Sequence, residues 1–408
     1  MPISLPSEGK GHRFESCWVR HFPSSQRQGA SGVTGRLIPD ADLLLPPGLV
    51  HLQTGGVGAM PRPVFDATVS AMTAVEGDPA GETYGPGIGR LDKVRGKAAD
   101  LLGCELDDII LTGSATAGMF LLAQGLSFRP GDRVLTTDHE HPAGRMGWDW
   151  VARRYGVEID TLAISPGEAD PTAIVDQFEA AIRPETRLLS FSHILYTTGV
   201  RLPATELCAL ARQRGCLAIV DGAQSAGAMP VDVGEMGCHA YSASGHKWLM
   251  GPKGTGLLYL DPAMDGGLDA LPLQAGRRAN SDSTGIGNIA GMHGFGAAID
   301  YVQALGLEAI EAHNMALRQE LHDALGELRG VTIPAPRDGP TTSANLSFSL
   351  PQGVDHYAIR RNLLMRHKVY LRVVDLAGFL GLRASLHCYN RSEDVAALIA
   401  ALKAELSA

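Results

Sequence analysis

Short apolar runs that each end on a small polar or charged residue constrain this chain more than any other feature. Ile109-Ile110-Leu111 runs into Thr112, Arg133 to Thr137 into Asp138, and Leu188 to Ser192 into His193. Leu217 to Val220 likewise runs into Asp221, and Ala240 to Ala243 into Ser244. Helix-like patterns lie at Val64 to Val75, Ala117 to Leu126, Ala143 to Tyr155 and Thr205 to Arg214, and Gly256 to Leu260 reads as one more strand. Strands alternating with helices predict an α/β fold with a mostly parallel, doubly wound sheet and helices on both faces. Ligands of such sheets bind at the carboxyl ends of the strands. Thr112, Asp138, His193, Asp221 and Ser244 are therefore expected on one rim.

The second half reads differently. A long helical stretch from about Gly294 to Arg329 precedes an α+β tail. Its strands are predicted at Asn345 to Leu350, Val369 to Val373 and Leu382 to Leu386, and its helices at His356 to Arg366 and Ser392 to Leu406. With 408 residues, more than one core is expected. The predicted organisation is a large domain over 36–300 and a smaller C-terminal domain over 301–408. Residues 1–35 are rich in Gly, Ser, Arg and Gln, lack a period, and read as a disordered or loosely attached arm.

A net charge of −9 with no long basic run argues against nucleic acid as a partner. No apolar stretch reaches transmembrane length, so no membrane partner is expected. The six cysteines include no C-x-x-C pair and follow no secretory h-region, so they read as reduced thiols of a cytoplasmic protein. No metal is expected either, since His139-Glu140-His141 is too short for the i, i+4 spacing of a helical zinc site.

The chemistry concentrates on Ser244-Gly245-His246-Lys247, 26 residues beyond Asp221 by position of the lysine. A lysine amine near one strand end and a carboxylate ending another are the pair that pyridoxal 5′-phosphate (PLP) uses. The lysine forms a Schiff base with its aldehyde, and the acid pairs with its ring nitrogen. Small residues around Lys247 favour a desolvated, nucleophilic amine. Gln224 is placed to donate to the phenolic oxygen of the cofactor, although Asp221 also suits a turn cap. Gly113-Ser114-Ala115-Thr116, between a strand and an apolar helix, suits a phosphate at a helix N-terminus. Ser244 and His246 are further donors to that phosphate. His141 is the candidate for a ring stacked on the pyridine, with His139 in competition. Arg383 suits a substrate carboxylate, with Arg372 as second choice.

These residues resemble the class V aminotransferase group of fold-type I PLP enzymes, which includes cysteine desulfurases, selenocysteine lyases and isopenicillin N epimerase-like proteins. The resemblance runs from about His51 to the C-terminus. It rests on Val220-Asp221-Gly222-Ala223-Gln224-Ser225-Ala226-Gly227, Ser244-Gly245-His246-Lys247, Glu140-His141, Ser192-His193 and Arg383-Ala384-Ser385-Leu386-His387-Cys388-Tyr389-Asn390. It implies PLP on Lys247, Asp221, Gln224 and His141, phosphate contacts at Ala115, Thr116, Ser244 and His246, and a substrate carboxylate on Arg383. It also implies a homodimer, with Thr284 as the match for a phosphate contact from the partner chain. The segment Leu371 to Gly378 holds no cysteine where desulfurases carry a reactive one, and Leu195-Tyr196 stands where many members have Asn. The expected activity is at Cα of an amino-acid-type substrate, epimerase-like or a C–S/β-elimination lyase rather than a persulfide-forming desulfurase. An aminotransferase and a non-catalytic PLP-fold binding protein are the alternatives.

Overall fold

The computed structural model describes residues 35–264, 267–278 and 281–407. The N-terminal arm expected over 1–35 falls outside the described residues except for Gly35. In chain order the elements are β1 (Val50–His51), α1 (Arg62–Gly77), α2 (Pro79–Tyr84), α3 (Pro86–Leu102), β2 (Ile109–Thr112), α4 (Ala115–Gly125), β3 (Arg133–Thr137) and α5 (Pro142–Tyr155). They continue as β4 (Glu158–Leu162), α6 (Pro171–Ala181), β5 (Thr186–Ser192), α7 (Ala204–Gln213), β6 (Leu217–Asp221), α8 (Val233–Met236), β7 (Ala240–Ser244) and β8 (Gly256–Leu260). The last are α9 (Ile289–Leu305), α10 (Leu307–Gly326), β9 (Asn345–Phe348), α11 (His356–His367), β10 (Val369–Tyr370), β11 (Arg372–Leu376), β12 (Phe379–Ser385) and α12 (Ser392–Leu406).

Among the described residues, seven strands form the main sheet in the order β2-β8-β7-β6-β5-β3-β4. All pairs are parallel except those made by β8, which runs antiparallel to both β2 and β7. Apart from the edge strand β4, both faces are buried, and strand alternation divides the side chains between them. Ile109, Leu111, Leu189, Phe191, Ala218, Val220, Leu257 and Tyr259 join one core with residues of α3, α6, α7 and α9. Ile110, Leu188, Ile219, Leu258 and Leu260 join another with Met119 and Leu122 of α4 and Trp148 and Val151 of α5. This is the doubly wound α/β arrangement.

A second sheet, β11-β12-β9, is antiparallel and stands on its own core. Leu317, Leu321 and Leu325 of α10, Leu363 of α11 and Leu398 of α12 fill that core with Leu346, Leu382 and Ala384. Val50 and Leu52, far away in sequence, also join it.

The helical stretch expected from Gly294 to Arg329 is present as two helices, and one strand expectation of this half is corrected. The helices, α9 and α10, meet at Gly306, whose φ of +84° a β-carbon resists. The strand expected over Val369 to Val373 is two strands. β10 pairs in parallel with β1, and past Leu371 the chain switches partner to β12.

Candidate active site

The main sheet delivers its chemistry where β5, β6 and β7 end. A cavity of about 220 Å³ lies there, and Ser192, Asp221, Ser244 and Lys247 all line it. So do Ser114, Ala115, Thr116, His141, Gln224, His246, Arg372 and Arg383. Twelve residues scattered over 270 positions thus share one space, and eleven of them were singled out from sequence.

The expected rim is formed, since β2, β3, β5, β6 and β7 all run in one direction and these five residues end or follow them, but only part of it serves the cavity. Asp221 and Ser244 line the cavity, whereas Thr112, Asp138 and His193 do not. Alternation along β5 gives Ser192 to the cavity, and His193 lines a different one with Arg201 and Pro230. Asp138 instead accepts a hydrogen bond from the backbone of Ile164. His139 does not compete with His141. Its ring is buried, with Nδ1 on Thr197 at 2.6 Å and Nε2 on the Ile164 carbonyl at 2.8 Å.

His141 is the N-cap of α5, where Pro142 supplies the first helical φ. Its Nδ1 accepts from the Ala143 N–H at 3.2 Å, which leaves the proton on Nε2. Burial, then the charges of Lys247, Arg372 and Arg383, push its pKa down to about 4. The ring is therefore neutral at physiological pH. Glu140 fixes the turn beneath it by accepting from the Thr137 hydroxyl and from both the N–H and hydroxyl of Ser192. Burial raises the Glu140 pKa to about 7.

At the other end, Ser114 caps α4 by accepting from the Ala117 N–H at 3.2 Å. The Ala115 N–H is already taken by Ser244 Oγ at 2.9 Å. Having accepted that bond, the Ser244 hydroxyl keeps its own proton to donate. His246 lines the same end, and its Nδ1 is buried without a partner. Thr116 belongs to the first turn of α4, where backbone N–H groups lack intrahelical acceptors.

Between these ends sit the acid and the amine. Asp221 Oδ1 accepts from the Ala223 N–H at 2.9 Å, so the turn cap is real and Oδ2 remains. Burial raises its pKa, against the pull of Lys247. Burial lowers the pKa of Lys247 to about 8. Asp221 opposes that shift, and Arg383 and Arg372 reinforce it. The Gln224 carbonyl accepts from Trp248 Nε1 and Asn345 Nδ2, and its amide nitrogen donates to the Gly55 carbonyl at 2.8 Å. The orientation of its amide is thus set, with one N–H left over.

The roof comes from the two parts of the chain least readable in sequence. Residues 53–58 run from the Ser385 end of β12 to the turn that carries Lys247, with the Gly58 N–H on the His246 carbonyl at 2.8 Å. A β-carbon at Gly58 would lie 2.0 Å from the Lys247 carbonyl oxygen, so only glycine fits that crossing. Opposite, Arg383 donates to the Tyr196 carbonyl at 2.5 Å and to Gln53 Oε1 at 3.3 Å. Burial and the neighbouring Arg372 lower its pKa to about 9. Tyr196 was not among the expected site residues. Its ring lies edge-on to His141, centroids 4.9 Å apart, and the Arg372 guanidinium lies over it at 5.6 Å. The signal for it was Leu195-Tyr196 standing where the resemblance implies Asn.

Thr284 does not reach the cavity of its own chain. It is exposed and lines a separate depression with Thr112, Gly113 and Asn288. The segment over Leu371 to Gly378 is strand β11 and a two-residue turn, and no described cysteine lines the cavity. Cys388 is core, with its sulfur 3.7 Å from that of Met250.

The arrangement fits PLP on its own chemistry. One end offers a helix N-terminus, a free hydroxyl proton and the orphaned His246 Nδ1 to a phosphate. The middle offers an amine held near neutrality and a buried carboxylate.

Comparison with known proteins agrees with this geometry. The family described as aminotransferase class-V matches residues 52–398. Isopenicillin N epimerase of Streptomyces clavuligerus is 31% identical over 89% of this chain and 96% of its own. A probable cysteine desulfurase of Methanothermobacter thermautotrophicus is 30% identical over 75% of this chain and 81% of its own. Among solved structures, the cystine C–S lyase C-DES in complex with its product cysteine persulfide superposes with a TM-score of 0.78 at 25% identity, over 87% of this chain and 97% of that one. A C-DES variant has been solved with glycine covalently linked to its PLP cofactor. With a family match that spans the strand ends, the roof and the hairpin alike, the chain belongs to the aminotransferase class-V family.

Proposed function

We propose that this protein is a PLP-dependent enzyme that moves a proton at Cα of an amino-acid-type substrate, with epimerisation as its favoured outcome. The observation that carries this reading is the placement of Arg383 and Arg372, neither with a carboxylate partner among the described residues, in the same cavity as Lys247 and Asp221. When bound, PLP supplies the electron sink that makes a Cα–H bond labile. Ser114, Thr116, Ser244 and His246 would hold its phosphate, Asp221 its ring nitrogen, and Lys247 its aldehyde carbon. Gln224 would donate its spare N–H to the phenolic oxygen.

The residues of this chain then divide the remaining work. Arg383 binds the α-carboxylate through its buried guanidinium. Lys247 Nζ takes the Cα proton from one face, since an amine with a pKa near 8 is a competent base near neutrality, and inversion requires a second donor to return a proton to the opposite face. His141, neutral and donating only from Nε2, packs against the site without adding charge to it. The strap over 53–58 excludes water from one side.

Epimerisation is favoured over persulfide chemistry because no described thiol lines the cavity and the epimerase similarity covers 89% of the chain. β-Elimination is the second reading, and the likeness to a cystine C–S lyase favours it. The protein acts as a cytoplasmic homodimer in this reading, with Thr284 of each subunit serving the phosphate of the other. Incubation with L-amino acids in deuterated water, followed by chiral analysis and mass spectrometry, tests it. Deuterium at Cα with both enantiomers is the expected result, and pyruvate without a D-isomer gives the lyase. A keto acid with the cofactor left as pyridoxamine phosphate would overturn the proposal in favour of an aminotransferase.

A further inference from the structure

Arg372 and Arg383 face each other directly across the β11–β12 hairpin, as Cα partners of the same antiparallel register. Like charges so placed repel and destabilise a hairpin. Both side chains point into one cavity, and the Nε of each is buried without a partner. Arg383 has other protein contacts, to the Tyr196 carbonyl and Gln53. The Arg372 guanidinium makes no hydrogen bond or ion pair among the described residues and rests only over the Tyr196 ring. Three cations, Lys247, Arg372 and Arg383, line this cavity against one carboxylate, Asp221.

The phosphate end does not account for the excess. The charges that act on His246 are those of Lys247 and Lys253, whereas those of both arginines act on Lys247 and His141. The guanidinium pair therefore belongs to the substrate end. One α-carboxylate neutralises one guanidinium, and the second is left in a half-buried position where an unpaired charge is unfavourable.

From this geometry we infer that the substrate carries a second anionic group, a side-chain carboxylate, which Arg372 binds while Arg383 holds the α-carboxylate. Arg372 thereby sets specificity for acidic over neutral substrates. The inference rests on the proposed Cα chemistry for the assignment of Arg383.

Two isosteric pairs test it on the PLP-loaded protein: aspartate against asparagine, and glutamate against glutamine. Binding is read from the absorbance change of the cofactor. One acid is expected to bind at least about 10-fold more tightly than its amide, as a charge-assisted fork on a carboxylate requires. Arg372→Gln should bring that ratio to about 1, and Arg372→Lys should restore part of it. Equal weakening of acid and amide in Arg372→Gln would overturn the inference, because both arginines would then share one carboxylate. A wild-type ratio near 1 would overturn it as well. Thermal stabilisation by glutarate and succinate against butyrate gives a readout free of Cα chemistry. Stabilisation by the dicarboxylates, lost in Arg372→Gln, with no amino acid undergoing Cα exchange, would uphold the Arg372 site and sink the proposed function.

Discussion

Lys247 owes its reactivity to opposed effects of its neighbours. Burial, Arg383 and Arg372 favour the neutral amine, and Asp221 alone favours the ammonium. The sign follows for uptake of PLP by the apoprotein, which needs the free amine. Below pH 8 the rate should fall by about tenfold per pH unit, and above pH 8 it should level off. Asp221→Asn removes the charge that holds the pKa up, so its inflection should move to lower pH. Stopped-flow absorbance across pH 6–10 would check both, and a wild-type inflection near that of an ordinary lysine would refute the account. Borohydride reduction of the loaded protein followed by peptide mapping should place the label on Lys247. Lys253, an exposed lysine whose pKa is also lowered by partial desolvation, is the control, and label on it would contradict the assignment.

At the scale of elements, the hairpin that carries both arginines is set by its turn. Leu376 and Phe379 are the last pair, and Ala377 and Gly378 between them have φ of +55° and +71°. Two positive φ values mark the turn whose twist matches a hairpin, and Asn-Gly is its favoured sequence. Alanine is strained in the first position. Ala377→Asn should stabilise the protein by about 0.5–1 kcal/mol, read as a raised urea midpoint at unchanged m-value. No gain would mean that the turn is not what fixes this register. This hairpin also shows where the sequence stops being legible. Apart from the edge strand β4, which has no buried residue and was not legible, the strands of the main sheet are short apolar runs bounded by polar ends, and their burial on both faces makes that pattern unambiguous, so Asp221, Ser244 and Lys247 could be placed at once. β11 and β12 mix exposed and buried residues, and nothing local says that Arg372 falls opposite Arg383. β1 is two residues long and pairs with β10 across more than 300 positions, a contact that no local period can announce. Gln53 and Gly55 reach the site through such long-range pairings, and Tyr196 lies in a local turn after β5 that meets Arg383 only in three dimensions. Thr112, Asp138 and His193 lie on the expected rim but outside the cavity, since knowing where a strand ends does not settle which side its last residue faces.

At the scale of the whole molecule, one chain supplies an amine, an acid, a helix N-terminus and two arginines to its own cavity, yet leaves Thr284 outside it. Thr284 Oγ1 accepts from the Ser281 N–H at 2.9 Å in an exposed turn, so it is ordered by its own segment and does not depend on that cavity for its place. If each subunit lends this threonine to the other's phosphate, the site is a property of the dimer and two defective chains can repair one another. Lys247→Ala alone should be inactive. Thr284→Ala alone should hold PLP about 10-fold more weakly, the scale of one hydrogen bond to a charged group, and should lose activity at limiting PLP. A mixed dimer has one site with both defects and one with neither. Random reassortment of equal amounts should therefore return about a quarter of wild-type sites, because half of the dimers are mixed and each has one intact site of two. Activity at limiting PLP after mixing, with the mass measured by light scattering, checks this. A monomer, or a mixture no more active than its Thr284→Ala component, would show that a single chain completes the site and that Thr284 serves only its own turn.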